Sequence, residues 1–549
     1  MFKLTAVSAS EKVYRTGEPY ALDTPLYLFE GEEVSLQLNI STDTDYRNSA
    51  IRLVGGPAAR AATFRRVGLV PAVLDANPAH DDYYEIRQDH LYPDVLEKCN
   101  PLLLHGMGGV NQTLFLTIAD SDKIPYGRHK LVARLYNEGS YITRTTFELV
   151  KLPARLPEQK CILTTWMHYD SFIDQHHVKL FTKDFYKLFA SYLQAAVIGG
   201  QNMLLVPLFT PAFDTQIGGE RHTAQLLDIS EPEPGVFTFD FKKTNEFIRF
   251  ALSHGMKYLE MPPCYTQWGA KNAPKIMVRD KNGRLRRRFG WETDALSEEY
   301  KSFLTQMLTA LNADLREIGA EEISFFHISD EPNLEQYDQY TACKNFIMPL
   351  IGKSRTLDAC SHLEFAGKSE REYAVCSVGT VKNYIEAGIR PLCTYYCCGP
   401  VNDHFTNRFL SMPLPRVSVL GLQLYRYDMD LFLHWGFNFY NSMHSRRPII
   451  PYNNTDADAV FSAGDAFIVY PDYAGFGANA SLRLYAMGTG MRLSRMLYLY
   501  ESLAGRDAAL AFLDEEGVCG LNVYPMSHGW LDRLTMPLHS TYLLRAVSL

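Results

Sequence analysis

From residue 161 onward the sequence repeatedly places an amphipathic helical stretch after a short β-rich run, and this order constrains the fold more than any other feature. The run 161–168 precedes a helical stripe over 183–198 that stops at Gly199-Gly200. Further helices are predicted at 247–254 and 296–318, and further strands at 203–209, 257–262, 323–329, 355–360, 373–377, 392–397 and 432–438. Because strands that alternate with helices are parallel, and no glycine-rich nucleotide turn follows the first strand, we predict a (β/α)8 barrel of the TIM type over residues 161–480.

The remaining segments are predicted from periodicity and proline content. Residues 1–150 alternate in the manner of half-buried strands, with Val34, Leu36, Leu38 and Ile40 on one face, which predicts a β-sandwich domain. Pro153 and Pro157 can continue neither a strand ladder nor a helix, so residues 151–160 are predicted to be a linker. Residues 481–549 are predicted to be a helix-rich C-terminal segment that packs on the barrel.

Composition excludes several classes of partner. A chain of 549 residues is too long for one core, and a net charge of -8 argues against nucleic acid or an anionic membrane surface as a partner. No stretch is long and apolar enough to span a bilayer, and charged residues interrupt the first twenty positions. The ten cysteines have no CxxC spacing. We therefore expect a cytoplasmic protein with reduced thiols.

No cofactor or metal is predicted. His176-His177 lack a third ligand at helical spacing, and Asp456 and Asp458 lack the spacing of an EF-hand. The basic run 284–288 follows Asn282-Gly283, a type I′ turn signal, so it is predicted to lie in a hairpin after the third strand. That hairpin is a candidate lid, a candidate contact in a homo-oligomer, or a solvated basic arm.

Side chains suited to sugar binding follow several predicted strands. In a parallel barrel, chemistry takes place where the strands end. The candidate substrate-binding residues are Trp166 and His168 after the first strand, Tyr265 and Trp268 after the third, Asn333 after the fourth, Tyr395 and Tyr396 after the seventh, and Trp435 and Asn438 after the eighth. Aromatic rings stack on sugar faces while amides and carboxylates bind hydroxyls, so these residues predict a carbohydrate substrate.

Asp330-Glu331 is the candidate catalytic pair. Two adjacent carboxylates repel, so the pKa of one should rise, which leaves a neutral acid beside an anion. A glycosidase needs this division, because an acid protonates the leaving oxygen and an anion stabilises positive charge near the anomeric carbon. In the alternative interpretation Ser329-Asp330-Glu331-Pro332 caps a helix, Trp268 and Trp435 are barrel core, and the histidines are structural.

The segment His327-Ile328-Ser329-Asp330-Glu331-Pro332 resembles the Asp-Glu strand end of glycoside hydrolase family 123 and its uncharacterised relatives. Similar further motifs are His254-Gly255-Met256-Lys257 before Glu260, Trp435-Gly436-Phe437-Asn438, Tyr470-Pro471 and Ser481-Leu482-Arg483-Leu484. The resemblance covers roughly residues 160–500, and an N-terminal β-sandwich is usual in that family. The chain departs from many members at Gly490-Met491-Arg492-Leu493, where they have an acidic helix.

The resemblance implies a retaining β-N-acetylgalactosaminidase in which the acetamido group of the substrate is the nucleophile. Glu331 would then be the general acid/base, and Asp330 would orient the acetamido nitrogen. Tyr395 or Tyr396 would hydrogen-bond the acetamido carbonyl, while Asn438 and His168 would contact hydroxyls.

Two alternatives remain open at the level of sequence. One is a glycosidase for an unmodified hexose, with Glu260 on the third strand as the enzyme nucleophile. The other is a non-catalytic carbohydrate-binding protein on a decayed barrel.

Overall fold

A computed structural model describes residues 1–367, 369–535 and 538 of the chain. Along these residues, two five-stranded sheets are followed by a closed barrel of eight parallel strands and by C-terminal helices. Within the predicted C-terminal segment 481–549, residues 536–537 and 539–549 lie outside the described residues. None of the described helices combines the length and apolarity needed to cross a membrane.

Two antiparallel-rich sheets form the N-terminal region. Their elements are β1 (Lys3–Ser8), β2 (Leu26–Leu28), β3 (Glu33–Ser41), β4 (Tyr46–Val54), α1 (Gly56–Arg60), β5 (Ala62–Pro71), β6 (Leu91–Lys98), β7 (Leu104–Gly106), β8 (Gln112–Ala119), β9 (Gly127–Asn137) and β10 (Ser140–Lys151). The strand orders are β1-β3-β8-β5-β6 and β2-β10-β9-β4-β7. Leu36 and Leu116 of the first sheet share one buried cluster with Leu131 and Leu149 of the second, so the two sheets share a core.

The polar face of β3 is covered as well, which its alternating sequence does not indicate. Gln37 is fully buried, and its Nε2 donates to the carbonyl of Ser8 at 2.8 Å and to that of Glu11 at 2.7 Å. Such hydrogen bonds offset the cost of burying an amide.

The rest of the chain contains fourteen described strands and nine described α-helices. The strands are β11 (Ile162–Thr165), β12 (Met203–Leu205), β13 (Asp228–Glu233), β14 (Val236–Asp240), β15 (Tyr258–Met261), β16 (Ile276–Arg279), β17 (Leu285–Phe289), β18 (Ser324–Phe326), β19 (Arg355–Ala359), β20 (Glu372–Ser377), β21 (Cys393–Tyr395), β22 (Leu431–His434), β23 (Tyr470–Asp472) and β24 (Gly477–Asn479). The helices are α2 (Asp170–His176), α3 (Lys183–Ile198), α4 (Lys242–Ser253), α5 (Glu298–Glu317), α6 (Tyr337–Ile347), α7 (Val381–Glu386), α8 (Leu414–Arg426), α9 (Leu482–Ala504) and α10 (Arg506–Glu515).

The barrel consists of β11, β12, β15, β18, β19, β20, β21 and β22, and it closes where β22 pairs in parallel with β11. Each of these strands overlaps one of the eight predicted runs, and β20 and β22 begin one residue earlier than predicted, so the predicted positions are confirmed to within one residue at the strand starts. Except for β20, the strands are shorter than the runs, because the last residues of several runs leave the barrel and enter the loops at its C-terminal end. Between β19 and β20 the described residues contain a 3-10 turn at Leu363–Phe365 and no α-helix, so the helix layer differs there from regular alternation.

Helix α3 has the predicted limits because both of its ends carry strong signals. The Oγ1 of Thr182 accepts from the Phe185 amide at the N-terminus, and Gly200 adopts a φ of 87° just after the C-terminus. The predicted stripe, including Leu188 and Tyr192, is buried.

The predicted hairpin after the third barrel strand is confirmed as β16 and β17, but its turn is not of type I′. Only Gly283 has a positive φ, and Asp280 Oδ1 accepts from the amides of Asn282 and Arg284, which produces a longer loop. The hairpin joins β13 and β14 in a four-stranded sheet beside the barrel. Three of the four arginines in the run 284–288 are paired with carboxylates, Arg286 with Asp280, Arg287 with Glu220 and Arg288 with Glu231, which neutralises much of its charge.

A buried ion pair ties the N-terminal sheets to α9. Arg483 Nε and Nη2 donate to the two carboxylate oxygens of Asp94 on β6 at 3.0 and 2.8 Å, and both side chains have no exposed surface. Arg483 also donates to the carbonyls of Arg408 and Gly464. Removing one partner of such a pair leaves an uncompensated buried charge.

We predict that Asp94→Ala lowers the free energy of unfolding by about 3–5 kcal/mol, because the Arg483 guanidinium loses its counter-charge. Denaturant titration followed by tryptophan fluorescence measures the change. Glu322→Ala is the matched control, since Glu322 pairs with Lys353 and both side chains are 73% exposed, so the change should stay within about 0.5 kcal/mol. Equal effects of the two substitutions would contradict the assigned role of the pair.

Candidate active site

The Asp330-Glu331 pair lies in the loop that follows β18, at the C-terminal mouth of the barrel. Asp330 is half-buried and Glu331 is exposed. The carbonyl of Asp330 accepts from the Trp268 amide at 2.8 Å, and Glu331 Oε1 accepts from the Tyr395 hydroxyl at 2.7 Å. The pair is therefore held from the loops of the third and seventh strands.

The pair does not cap a helix. A 3-10 turn begins after Asn333, and α6 begins only at Tyr337. Asn333 is exposed, and its amide donates to Gln336 Oε1 at 3.0 Å, while Gln336 Nε2 donates to the carbonyl of Trp268 at 2.8 Å. The predicted sugar-binding residue Asn333 thus lies at the start of this turn and helps to fix the loop.

A chain of buried polar groups lies beneath the pair. Glu260 at the end of β15 has no exposed surface, and its oxygens accept from Thr164 Oγ1 and Trp166 Nε1, both at 2.5 Å. His327 Nε2 forms a third hydrogen bond to Glu260, and His327 Nδ1 lies 3.3 Å from Asp358 Oδ1. This chain connects the ends of the first, third, fourth and fifth strands.

His327 is held as an imidazolium by its two carboxylate neighbours. Burial alone would lower the pKa of His327, but hydrogen bonds and charges from Asp358 and Glu260 outweigh it and raise the pKa to about 10. Asp358 is also held by the amides of Ile328 and Ser329 and by the hydroxyl of Tyr340. The floor under the acid pair therefore contains two carboxylates and one buried cation.

The surroundings of Asp330 favour its neutral form. Burial and the negative charge of Glu331 raise the pKa of the Asp330 carboxyl well above its ordinary value, against the opposing effect of the His327 cation. The pair consequently holds a proton at a pH where an isolated aspartate would be ionised.

The two adjacent tyrosines of the seventh strand point in opposite directions, as residues of a strand do. Tyr395 packs among the side chains inside the barrel and reaches Glu331. Tyr396 is fully buried on the other face, where its ring packs on Phe432 and His434.

The predicted tryptophans occupy three different positions. Trp166 is 2% exposed, stacks on Phe213 with ring centroids 3.7 Å apart, and forms part of the pocket floor. Trp268 is half-buried at the mouth, with its ring edge-on to His444. Trp435 is also half-buried, and its Nε1 donates to Asp465 Oδ2 at 3.1 Å.

His168 and Asn438 connect the first and eighth strand ends to each other. The Asn438 amide side chain accepts from the His168 amide at 2.8 Å and donates to the His168 carbonyl at 3.1 Å. His168 Nε2 bonds the carbonyl of Trp435, and Arg221 donates to His168 Nδ1. Burial and the Arg221 charge lower the pKa of His168 to about 3, so the ring stays neutral. Both predicted hydroxyl-binding groups are buried and use these atoms within the protein.

Tyr265, the last of the predicted residues, is fully buried and packs on Tyr300 behind the third strand. Of the predicted set, the structure brings Asp330, Glu331, Trp268, Tyr395 and Trp435 to the mouth. It places Tyr265, Tyr396, His168 and Asn438 in the surrounding core, while Trp166 lies in the floor.

Several residues at the mouth have no local sequence signal. Asp214 follows the second strand and is half-buried, with Oδ2 accepting from the His444 amide at 2.9 Å. Asp465 and Asp358 are buried carboxylates beside Trp435 and His327. Asp214 and Asp465 lie in irregular loops and Asp358 lies within β19, so period and spacing do not mark any of the three as a site residue.

Left-handed backbone conformations cluster at this mouth. Non-glycine residues with positive φ include Asp214, Trp268, Glu331, His444 and Ser445, from four different loops. Such conformations cost of order 1–3 kcal/mol each and concentrate at functional sites. Their clustering independently marks the mouth as the functional site. A separate cavity of about 650 Å³ lies between the first sheet and the opposite end of the barrel, and no predicted site residue lines it.

A closed parallel barrel with a carboxylate pair and aromatic side chains at its C-terminal mouth is the arrangement of a carbohydrate-cleaving barrel enzyme. The sequence matches the family model described as glycoside hydrolase 123, catalytic domain, over residues 166–500. The match spans more than half of the chain. The chain therefore belongs to glycoside hydrolase family 123 and is a glycoside hydrolase.

Solved structures agree with this assignment at the level of fold. A family 123 glycoside hydrolase from Clostridium perfringens, studied for glycolipid glycan hydrolysis, matches with a TM-score of 0.73 at 14% identity, with 100% of each chain covered. A family 39 glycoside hydrolase from Bacteroides cellulosilyticus WH2 matches at TM-score 0.33 and 10% identity, over 86% of this chain and 82% of that one. A xyloglucanase of family 5 from Bacteroides ovatus matches at TM-score 0.30 and 8% identity, over 89% of this chain and 100% of that one. The last two scores are too low to indicate a shared fold. No curated protein sequence matches the chain.

We predict that His327 stays protonated up to about pH 9 while His168 is neutral throughout, because their surroundings shift the two pKa values in opposite directions. Imidazole ¹⁵N chemical shifts recorded from pH 5 to 9 measure both states, with His327→Gln and His168→Gln used to assign the signals. Since the folded-state pKa of His327 is raised, the stability that it contributes is complete below about pH 6.5 and is lost as the pH rises towards 10. A His327 signal that titrates near pH 6.5 would contradict the bridged imidazolium.

Proposed function

We propose that the enzyme is a retaining, exo-acting glycoside hydrolase that removes a terminal 2-acetamido sugar, of the β-N-acetylgalactosaminide type, by substrate-assisted catalysis. Adjacent Asp330 and Glu331 at the mouth carry the proposal, together with the absence of a free nucleophile on the third strand. Glu260 has both oxygens engaged and no exposed surface, so it is not available to attack a sugar.

In the proposed reaction, Glu331 donates its proton to the glycosidic oxygen as the bond to the anomeric carbon breaks. The acetamido carbonyl oxygen attacks that carbon from the opposite face and forms an oxazolinium ring. Water then opens the ring while Glu331 takes back a proton, so the two inversions retain the β configuration.

Asp330 is proposed to accept a hydrogen bond from the acetamido N–H and to stabilise the positive charge of the ring. The raised pKa of Asp330 favours a proton held by the pair before substrate binds. When substrate binds, the N–H donor favours the ionised form of Asp330 and leaves the proton on Glu331, where the leaving oxygen needs it.

Tyr395 is the better candidate of the two tyrosines for the acetamido carbonyl. Its hydroxyl lies 2.7 Å from Glu331 Oε1 and 3.2 Å from Ser361 Oγ, whereas Tyr396 lies on the other face of the strand. Trp268 and Trp435 are proposed as platforms for the sugar face, since both remain partly exposed at the mouth.

The similar enzyme from Clostridium perfringens was studied on glycolipid glycans. We extend the proposal to this substrate class: a terminal N-acetylgalactosamine on a glycolipid or a related oligosaccharide. The alternative is an unmodified hexose with an enzyme nucleophile, and the buried position of Glu260 counts against it.

We predict that Glu331→Gln and Asp330→Asn each lower kcat/KM for a β-N-acetylgalactosaminide by about 10²–10⁴-fold, the range that general acid–base groups contribute. For Glu331→Gln the loss should be smaller with a nitrophenyl leaving group, which needs little protonation, than with an oligosaccharide. Asp330→Asn should reduce both equally. Initial rates on the two substrates measure the difference.

Glu335→Gln is the control, because Glu335 is exposed four residues after Glu331 and its side chain makes no hydrogen bond or ion pair with a described residue, so its rates should equal those of the wild type. Mass spectrometry after incubation with a 2-fluoro sugar fluoride gives a second test. Covalent labelling of Glu260 would show an enzyme nucleophile and overturn the proposal, as would wild-type rates in both pair variants.

A further inference from the structure

Two loops join across one side of the barrel mouth. Residues 213–216 follow the second strand and residues 442–446 follow the eighth, and together we name them the strap. The His444 amide donates to Asp214 Oδ2 at 2.9 Å, the Ser445 hydroxyl to the Asp214 carbonyl at 2.7 Å, and the Gln216 amide to the His444 carbonyl at 3.1 Å. Because the second and eighth strands flank the first, the strap spans the end of the first strand.

The loop of the third strand reinforces the strap. Gln267 Nε2 donates to the carbonyl of Thr215 at 2.8 Å, and the Trp268 ring packs edge-on to His444 at 5.6 Å. Three loops therefore close the side of the mouth above the first two strands.

The sixth strand adds little to the rim on the other side of the mouth. Only residues 378–380 separate β20 from α7, so the loop of the sixth strand does not build a comparable wall. Glu331 is exposed on the rim. The acid proposed to protonate the leaving oxygen is thus accessible from solvent.

Asp214 presents a carboxylate at the closed side. The preceding residue, Phe213, stacks on Trp166 in the pocket floor, which places Asp214 just above that floor. Oδ2 is held by the strap, while Oδ1 makes no hydrogen bond to any described residue. The charge of Asp214 contributes to raising the pKa of both Asp330 and Asp465, the carboxylate that holds Trp435.

A half-buried carboxylate with a free oxygen beside an aromatic floor suits recognition of sugar hydroxyls. Each hydroxyl donates one hydrogen bond, and a carboxylate accepts several. Hydrogen bonds to an ionised acceptor are about twice as strong as neutral ones. The strained backbone at Asp214, with a φ of 40°, is consistent with a position set by function.

We propose that Asp214 binds hydroxyl groups of the terminal, non-reducing sugar and that the strap ends the pocket there, which restricts the enzyme to exo cleavage. This inference rests on the proposed function and names the residue that selects its terminal sugar.

A thermodynamic cycle tests the assignment. Wild type, Asp214→Asn and Asp214→Ala are assayed on nitrophenyl β-N-acetylgalactosaminide and on its 3-deoxy, 4-deoxy and 6-deoxy analogues. We expect Asp214→Ala to lower kcat/KM on the parent sugar about 10- to 100-fold, the loss of one or two charge-assisted hydrogen bonds. Removing the hydroxyl that Asp214 contacts should then lower kcat/KM of the wild type by a similar factor and leave kcat/KM of Asp214→Ala almost unchanged.

Asp314→Asn is the matched control, because Asp314 is a half-buried carboxylate on α5 that accepts from Asn245 and lies outside the mouth. Its rates on all four sugars should follow the wild type. If removing each hydroxyl lowers kcat/KM of the Asp214 variants by the same factor as that of the wild type, the proposed contact is overturned. If the wild type cleaves a substrate in which the N-acetylgalactosamine carries a further sugar at its non-reducing end, the strap does not close the pocket and this part of the proposal is overturned.

Binding of methyl β-N-acetylgalactosaminide, measured by calorimetry, separates this inference from the proposed function. Weaker binding by Asp214→Asn supports the assignment even if turnover is undetectable, in which case only the catalytic proposal fails. Equal affinity of wild type and Asp214→Asn overturns the assignment even if the enzyme hydrolyses the sugar as proposed.

Discussion

The imidazolium of His327, held between Glu260 and Asp358, is the interaction on which the mouth of the barrel depends. It connects the ends of the third, fourth and fifth strands, and Glu260 adds the first strand through Thr164 and Trp166. Glu260, His327 and Asp358 are each at most 2% exposed, so each ionised group depends on its oppositely charged neighbours for stabilisation. Asp330 follows His327 by three residues, so this series of buried hydrogen bonds determines how far Asp330 lies above the pocket floor.

The site is built in two layers with different requirements. In the lower layer, groups such as Asn438 and His168 use their polar atoms on each other and fix the geometry of the strand ends. In the upper layer, Asp214, Glu331 and Trp268 carry left-handed backbones that neighbouring loops hold in place. A rigid lower layer allows the upper loops to present side chains in strained conformations that an isolated loop would abandon.

The sequence was sufficient to locate the eight barrel strands and the carboxylate pair, because both depend on local patterns. The stripe of α3 and the run before Asp330 are continuous in sequence, so period and spacing reveal them. Partners separated by long stretches of chain were not predictable. Asp214 meets His444 across 230 residues, and Tyr396 differs from Tyr395 only in which face of one strand it occupies. The side that a residue faces depends on register and closure, which a single sequence does not record.

The proposed function depends on attack of the substrate's acetamido group on the anomeric carbon. The most direct measurement compares kcat/KM for nitrophenyl galactosaminides whose N-acetyl group carries zero, one, two or three fluorine atoms. Fluorine withdraws electrons from the carbonyl oxygen and weakens it as a nucleophile while changing its size little. Attack by the acetamido oxygen predicts a steep, continuous fall in rate along the series, and a rate independent of fluorination would contradict this mechanism.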